Sequence, residues 1–168
     1  MVDLEFDEGL AVITINRPNA RNAIAPQTMD QLEQAIAGAE GALCLVTRGE
    51  GEKAFVSGGA LKELSSLRTE EQAATMAWRM RSICDELANF PAPVVAALNG
   101  HALGGGAEVA VAADIRVAAD DIKIGFNQVL PEHSQSERDR TAKKKRFPSR
   151  AQAKATLYAL SRSPAFTF

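Results

Sequence analysis

The spacing of apolar side chains predicts that the start of the chain contains short strands and one helix. Two short strands meet at Glu8 and Gly9, and the second strand is rich in β-branched residues until Pro18 ends it. Apolar positions over 25–40 then recur at the spacing of a helix. The continuous apolar run over 42–47 predicts a strand that is buried on both faces.

The same alternation continues to about residue 126. A long amphipathic helix is predicted after Thr69, whose hydroxyl can cap it, and Pro91 ends it. Its apolar face carries Ala73, Met76, Met80, Ile83 and Leu87. The other elements are a glycine-interrupted loop with a short helix (49–66), a strand (93–98), a helix of small residues (105–114) and two strand-like runs (115–119 and 122–126). This order predicts an α/β domain with helices on a largely parallel sheet.

The chain changes character after residue 130. Acidic residues prevail over 1–130, whereas Lys and Arg prevail over 131–168. We therefore expect a folded core over 1–130 and a divergent basic tail over 131–168, partly disordered, with one helix at 151–160. The basic run at 143–146 is open to nucleic-acid binding or to a solvated coil. Only Phe147 accompanies it among aromatic residues, so we favour the coil and expect no nucleic-acid partner.

Composition narrows the class of protein. The chain has 168 residues, of which 46% are hydrophobic, as in ordinary globular domains. Two Cys and two His give neither a disulfide framework nor the spacing of a metal site, so we expect no metal. The acidic N-terminus is unlike a signal peptide, and no apolar run has the length of a membrane span. We expect a cytoplasmic protein with no membrane partner.

Two glycine turns carry the candidate chemistry. The stretches "FVSGGALKEL" and "LGGGAEVAVA" both run from glycine into a helix. The first N–H groups of a helix favour negative charge, and glycine allows close approach to the backbone. Two such turns facing one cleft would form an oxyanion hole. The plainer alternative is a pair of ordinary turns, while the phosphate-binding, dinucleotide-binding and serine-hydrolase motifs are absent from the sequence.

Three longer segments together resemble the enoyl-CoA hydratase/isomerase (crotonase) family. They are "INRPNARNAIAPQTMDQL", "LVTRGEGEKAFVSGGALKEL" and "ALNGHALGGGAEVAVAADIRVAADDIKIGF", in the order and near the spacing of the family, and the resemblance covers about 3–129. It implies a crotonase-like spiral of β-β-α units and an acyl-CoA or enoyl-CoA thioester as substrate. It also implies an oxyanion hole that stabilises a thioester enolate. Coenzyme A would be part of the substrate, so no separate cofactor is implied.

The resemblance assigns roles to individual positions. The backbone N–H groups of Gly59 and Gly105 would form the oxyanion hole, and Glu108 would be the catalytic acid or base. From its position alone, Glu108 would be a first-turn glutamate that complements the helix dipole, and the resemblance favours catalysis. The residues implied beside coenzyme A are Ala20, Arg21 and Ala23, with Arg21 also near a phosphate, and Ala60, Leu61 and Lys62.

The sequence departs from the family's pattern at two positions, one of them beside coenzyme A and the other catalytic. The family's common aspartate after the oxyanion residue is Ala60 here, and the second catalytic glutamate of hydratases is Gln128. Glutamine is neither an acid nor a base at neutral pH, although it can orient a water or a carbonyl. Hydration by paired carboxylates thus lacks its second carboxylate here, and chemistry with a single carboxylate, such as double-bond isomerisation, stays open beside it.

Other features bear on the substrate and on assembly. Met76, Trp78 and Met80 are open to acyl-chain contact or to core packing, and we favour core packing, with Cys84 as a small buried hydrophobe. The resemblance stops after Val129, where the family continues into helices that cover the active site and make trimer contacts. The resemblance implies a homotrimer or hexamer. The alternative is an inactive truncated paralogue that only binds acyl-CoA or associates with full-length relatives.

Overall fold

The computed structural model of the protein describes residues 1–60 and 68–126. Eight strands in this part form two sheets. The five-stranded sheet contains β1 (Val2–Asp7), β2 (Leu10–Ile15), β3 (Cys44–Gly49), β5 (Val94–Leu98) and β7 (Ile115–Ala118), in the order β1-β2-β3-β5-β7. The three-stranded sheet contains β4 (Ala54–Val56), β6 (His101–Leu103) and β8 (Ile124–Gly125), in the order β4-β6-β8.

The larger sheet confirms the predicted hairpin and the predicted buried strand. β1 and β2 pair antiparallel across the Glu8-Gly9 turn, where both residues have positive φ, and the other neighbours pair parallel. Ile13, Ile15 and Leu45 are fully buried. Parallel strands covered on both faces read as continuous apolar runs, and for this reason the segment 42–47 was recognisable.

Of the three strands of the smaller sheet, the sequence pattern predicts only β8, within the run 122–126. Strands β4 and β6 have three residues each, which is too short to show alternation, so the sequence pattern over 49–66 predicts only a loop with a short helix. All three strands pair parallel. The largely parallel sheet that the sequence predicts is the five-stranded one, and the glycine turns follow strands of a second, smaller sheet.

Three helices are described, and their starts have clear local causes. They are α1 (Pro26–Gly38), α2 (Glu70–Ala88) and α3 (Gly105–Ala112). Pro26 begins α1, where its missing N–H is not needed. The Thr69 hydroxyl caps α2 as predicted, accepting the Gln72 N–H at 3.2 Å. The buried residues that α1 and α2 contribute to the core are Thr28, Met29, Leu32, Ala35, Ile36, Met80, Ile83 and Leu87.

The interpretation of Trp78 as a core residue is wrong. Its side chain is 66% exposed, and the Arg81 guanidinium lies over its ring at 5.5 Å from the centroid. Successive helical residues are about 100° apart, so position 78 faces away from the side of α2 that carries Met80 and Ile83. Met80 is buried and Met76 is half-buried against the core.

Several expectations concern residues that the structure does not describe. The short helix after residue 60 and the basic tail at 131–168, with its helix at 151–160, lie outside the described residues. In the part of the chain that is described, no helix is both long and apolar enough to span a membrane.

Candidate active site

The two glycine turns lie side by side because they follow neighbouring parallel strands. β4 leads into Gly58, and β6 leads into Gly104 and Gly105. Gly58 and Gly104 have positive φ, 105° and 54°, a conformation that side chains disfavour. A Cβ on Gly58 would lie 3.1 Å from the Leu103 carbonyl oxygen and 3.7 Å from the Gly105 nitrogen. Glycine therefore allows the two backbones to meet.

The predicted oxyanion donors have backbone N–H groups that the described part of the fold leaves unused. Ile24 forms a parallel bridge to Gly59, donating its N–H to the Gly58 carbonyl and accepting from the Ala60 N–H, both at 2.8 Å. The N–H of Gly59 lies between these two bonds and makes no backbone hydrogen bond among the described residues. The N–H of Gly105 begins α3, where a helix provides no acceptor.

Two asparagines fix the strand that carries the first turn. Asn22 is 1% exposed and has positive φ; its Oδ1 accepts the Arg17 N–H at 2.9 Å. Its Nδ2 donates to the carbonyls of Glu50 and Ala54 at 2.9 and 2.8 Å. Asn99 also donates to the Ala54 carbonyl, at 3.1 Å.

Sequence reasoning missed this support of β4. The available signal was an asparagine between strand β2 and helix α1, since asparagine is enriched at positive φ. Two of its three partners, Glu50 and Ala54, are about 30 residues away in sequence and are identified only in the folded chain.

One cavity of about 780 Å³ contains the three residues that the sequence singled out for catalysis and that the structure describes. Gly59, Gly105 and Glu108 all line it. The Glu108 side chain is half-buried, and its Oε2 would be 3.9 Å from a Cβ on Gly105. The other lining residues are Ile24, Met29, Ala73, Met76, Ala77, Met80, Arg81, Cys84, Asp85, Ala88, Val111 and Ala112. The position of these three residues is thus observed, and their chemical roles stay predictions.

Cys84 lies in the same cavity wall and is half-buried. Burial raises the pKa of its thiol to about 11, and the negative charges of Glu108 and Asp85 add to this effect. Thiols react as thiolates, so at neutral pH Cys84 is an unreactive apolar contact.

The residues predicted to lie beside coenzyme A do not share one site in the structure. Ala23 and Ala60 are buried together with Ala25 next to the first turn. Ala20 is exposed in a short 3-10 turn. Arg21 lines a second cavity of about 390 Å³ that also contains Lys53 and His101. Its side chain is therefore separated from the Glu108 cavity.

The remaining predicted site residues are Leu61, Lys62 and Gln128, which lie outside the described residues. Among the residues that are described, no group of three His, Cys, Asp or Glu is placed to hold a metal ion.

The fold and the site define a class: an α/β protein in which two glycine turns and one glutamate line a largely apolar cavity. Residues 5–131 match the family model described as "Enoyl-CoA hydratase/isomerase". The chain belongs to this family, and the resemblance and fold class expected from the sequence are confirmed.

Similar proteins belong to the same family and are about twice as long as the part of them that this chain matches. A "Probable enoyl-CoA hydratase" of Bacillus subtilis is 37% identical over 76% of this chain and 50% of its own length. A "Short-chain-enoyl-CoA hydratase" of Clostridium acetobutylicum is 36% identical over the same shares. The crystal structure of an "enoyl-CoA hydratase/ carnithine racemase" from Magnetospirillum magneticum has a TM-score of 0.70 and 31% identity, covering 77% of this chain and 52% of its own. The chain spans about half the length of these relatives.

Proposed function

We propose that this protein processes acyl-CoA thioesters through an enolate that is stabilised in an oxyanion hole. The N–H groups of Gly59 and Gly105 polarise the thioester carbonyl, and Glu108 moves the proton at the carbon beside it. The observation that carries the proposal is the presence of all three residues in one cavity. Membership of the family supports acyl-CoA thioesters as the substrate class.

The physical argument rests on where negative charge develops. Proton removal beside the thioester carbonyl places charge on its oxygen, and two fixed N–H donors stabilise that charge without reorganisation. Removal of one such donor from an oxyanion hole raises the barrier by about 3 kcal/mol. The donor at Gly105 also has the positive end of the α3 dipole behind it. The lining is largely apolar, and interactions between charges are stronger beside apolar groups than in water.

The proton transfer is assigned to a single carboxylate. Glu108 stands one turn into α3, next to the Gly105 donor, where a carboxylate can reach the carbon beside the carbonyl. With Gln128 at the position of the hydratases' second glutamate, we propose isomerisation of a double bond ahead of hydration. Gln128 orients a water or the substrate carbonyl in this proposal.

Replacing the carboxylate tests the proposal. Glu108→Gln removes the proton acceptor and keeps the shape, so turnover of 2-enoyl-CoA and 3-enoyl-CoA should fall about 100-fold or more. Glu86→Gln, an exposed carboxylate on α2 outside the cavity lining, should retain wild-type turnover. Steady-state rates with both substrates, together with thermal unfolding of each variant, make the comparison. Equal rates for Glu108→Gln and wild type would remove Glu108 from the mechanism.

A second candidate function is binding without turnover, either of acyl-CoA or of a full-length relative. Large apolar side chains that are exposed on the described part favour it, namely Val111, Ile115 and Phe126, each about half exposed. Stabilisation by acyl-CoA in a thermal-shift assay, with no turnover of either enoyl isomer, would select this function.

Native mass spectrometry tests the homotrimer or hexamer that we propose on family grounds, and imaging of a tagged protein tests a cytoplasmic location.

A further inference from the structure

The five-stranded sheet has a second apolar face, on the side away from the core. Successive side chains of a strand point to opposite faces, and Ile13, Leu45 and Ala96 turn one face toward the core. On the other face, the pairing register forms a row across all five strands: Glu5, Val12, Val46, Val95 and Ile115. We call the part of this face on β2, β3 and β5 the valine face. It contains Leu10, Val12, Cys44, Val46, Val95 and Ala97.

Helices α1 and α2 do not cover the valine face. Their buried apolar side chains belong to the core on the other side of the sheet, and no residue of the valine face is part of that core. Helix α3 packs against β4 and β6 of the smaller sheet. Val46 and Val95 are buried, and the other four residues of the valine face are half-buried. Because mainly parallel sheets normally have a layer on each face, a further layer is expected here.

The strand beside the valine face adds negative charge. β1 places Asp3, Glu5 and Asp7 on the same side of the sheet, with Glu5 aligned to Val12. Glu5 and Asp7 are exposed, and neither forms an ion pair with another described residue. A covering segment that fits this surface therefore carries an apolar stripe for the valine face and basic residues for β1.

The tail of the same chain has both properties. The predicted helix at 151–160 has apolar residues at Ala153, Leu157 and Leu160, the spacing of one helix face, and the run at 143–146 is basic. A ten-residue helix is about 15 Å long and about 10 Å wide. Strands β2, β3 and β5 are about 16–20 Å long and together about 10 Å across. One such helix therefore matches the size of the valine face.

We propose that residues 151–160 dock as a helix on the valine face, with the basic run at 143–146 beside the carboxylates of β1. The connecting residues 127–150 can extend to about 80 Å, which exceeds the dimensions of a domain of this size. The docked helix covers β2, β3 and β5 and leaves the β7 edge open. This inference is independent of the proposed enzymatic function.

Cross-linking between the tail and Cys44 tests the docking, because Cys44 lies in the valine face. In the full chain, Cys84→Ala leaves Cys44 as the only native thiol. One thiol is then added by Ala153→Cys, by Leu157→Cys or by the matched control Ala155→Cys, which lies about 200° around the helix from position 153. A bis-maleimide with a spacer of about one helix diameter, ~10 Å, links the two thiols. The reaction is run at about pH 8.5, because burial raises the pKa of Cys44.

Intact-mass and peptide mass spectrometry measure the intramolecular product. The variants at positions 153 and 157 should give about fivefold more product than Ala155→Cys, because docking raises the local concentration of the added thiol at Cys44. Equal yields at all three positions, or no product at any of them, would overturn the inference. A linked dimer would also overturn it, since a second copy would then be the occupant.

Charge reversal on β1 gives a second measurement that needs no added thiol. Glu5→Lys should speed tryptic cleavage within 143–150 about threefold, because the basic run loses its electrostatic partner and is released more often. Glu86→Lys reverses an exposed carboxylate on α2, which packs on the core side, and should cleave at the wild-type rate. An equal rate of tail cleavage in Glu5→Lys and wild type would refute the placement of the basic run beside β1.

Discussion

Gly105 and Gly106 are adjacent in sequence and differ in what a side chain would meet. A Cβ on Gly106 would be 2.0 Å from the carbonyl oxygen of Val56, a backbone atom of β4. A Cβ on Gly105 would have its nearest neighbour at 3.9 Å, an oxygen of Glu108. Gly105 is thus suited to a role in the cavity, whereas Gly106 allows α3 to pack against the three-stranded sheet.

Alanine should therefore lower mainly the stability of the fold at Gly106 and mainly the turnover at Gly105. Gly106→Ala forces α3 away from β4 and should lower the free energy of unfolding by about 1–3 kcal/mol. Gly105→Ala should change stability by less than about 1 kcal/mol, while its methyl group narrows the access of a thioester oxygen and lowers turnover. Urea unfolding and enoyl-CoA turnover separate the two effects. Loss of stability in Gly105→Ala equal to that in Gly106→Ala would contradict this division of roles.

Individual residues also mark the limit of sequence reasoning at this scale. Glu108, Gly59 and Gly105 were recognised because each belongs to a motif of contiguous residues. Asn22 was missed because its partners, Glu50 and Ala54, are about 30 residues away in the chain. A buried hydrogen-bond network of this kind has no local signature.

At the scale of elements, one arginine joins the two long helices. Arg79 of α2 donates to both carboxylate oxygens of Glu33 on α1, at 2.8 and 2.6 Å, and also pairs with Asp30. Hydrogen bonding from Arg79 lowers the pKa of Glu33 below its ordinary value of 4.5. The two-pronged geometry fixes the relative position of α1 and α2, which together border the cavity.

Removing this arginine should reduce stability in a pH-dependent way. Because the folded pKa of Glu33 is lowered, its contribution is complete above about pH 4.5 and is lost as the pH falls through the folded pKa. Arg79→Met should therefore cost about 1 kcal/mol at pH 7, a modest value because these side chains are about one-third exposed, and progressively less below pH 4.5.

Arg81→Met is the matched control on the same helix. Arg81 is 67% exposed and pairs with Asp85 at 3.6 Å, so its loss should have a smaller effect on stability. Urea unfolding between pH 3 and pH 7 gives the comparison. A difference between Arg79→Met and wild type that does not shrink at low pH would refute the role of the Glu33 carboxylate.

The elements themselves show why the sequence predicted some and missed others. α2 has 19 residues and a Thr69 cap, so periodicity and end signals agree over several turns. β4 and β6 have three residues each and are stabilised by pairing with one another, not by a local pattern. Their existence depends on contacts across more than 40 residues of chain, which single-sequence patterns do not contain.

At the scale of the whole molecule, the five-stranded sheet has an exposed apolar edge in the part of the chain that the structure describes. β7 is the last strand in the order of the larger sheet, and among the described residues it pairs only with β5. Ile115 in this strand is 48% exposed. Open edges with apolar side chains promote association between chains, and an inserted Lys is the usual protection.

A charge at this edge should reduce self-association. Ile115→Lys should shift the protein toward the monomer at a given concentration, as measured by analytical ultracentrifugation, with the thermal midpoint nearly unchanged. Leu43→Lys is the control, since Leu43 is 66% exposed and precedes the interior strand β3. If both variants associate as wild type does, the β7 edge is not the associating surface.

The sequence by itself determined the family and the main helices and strands, and it singled out three candidate site residues that line one cavity. These are encoded in contiguous segments, where periodicity, capping and glycine spacing are local properties. Only the tertiary structure decided that the two glycine turns meet and that Arg21 lines a different cavity from Glu108. Each of these depends on which strands become neighbours, and that choice is made by burial and backbone pairing between segments far apart in the chain.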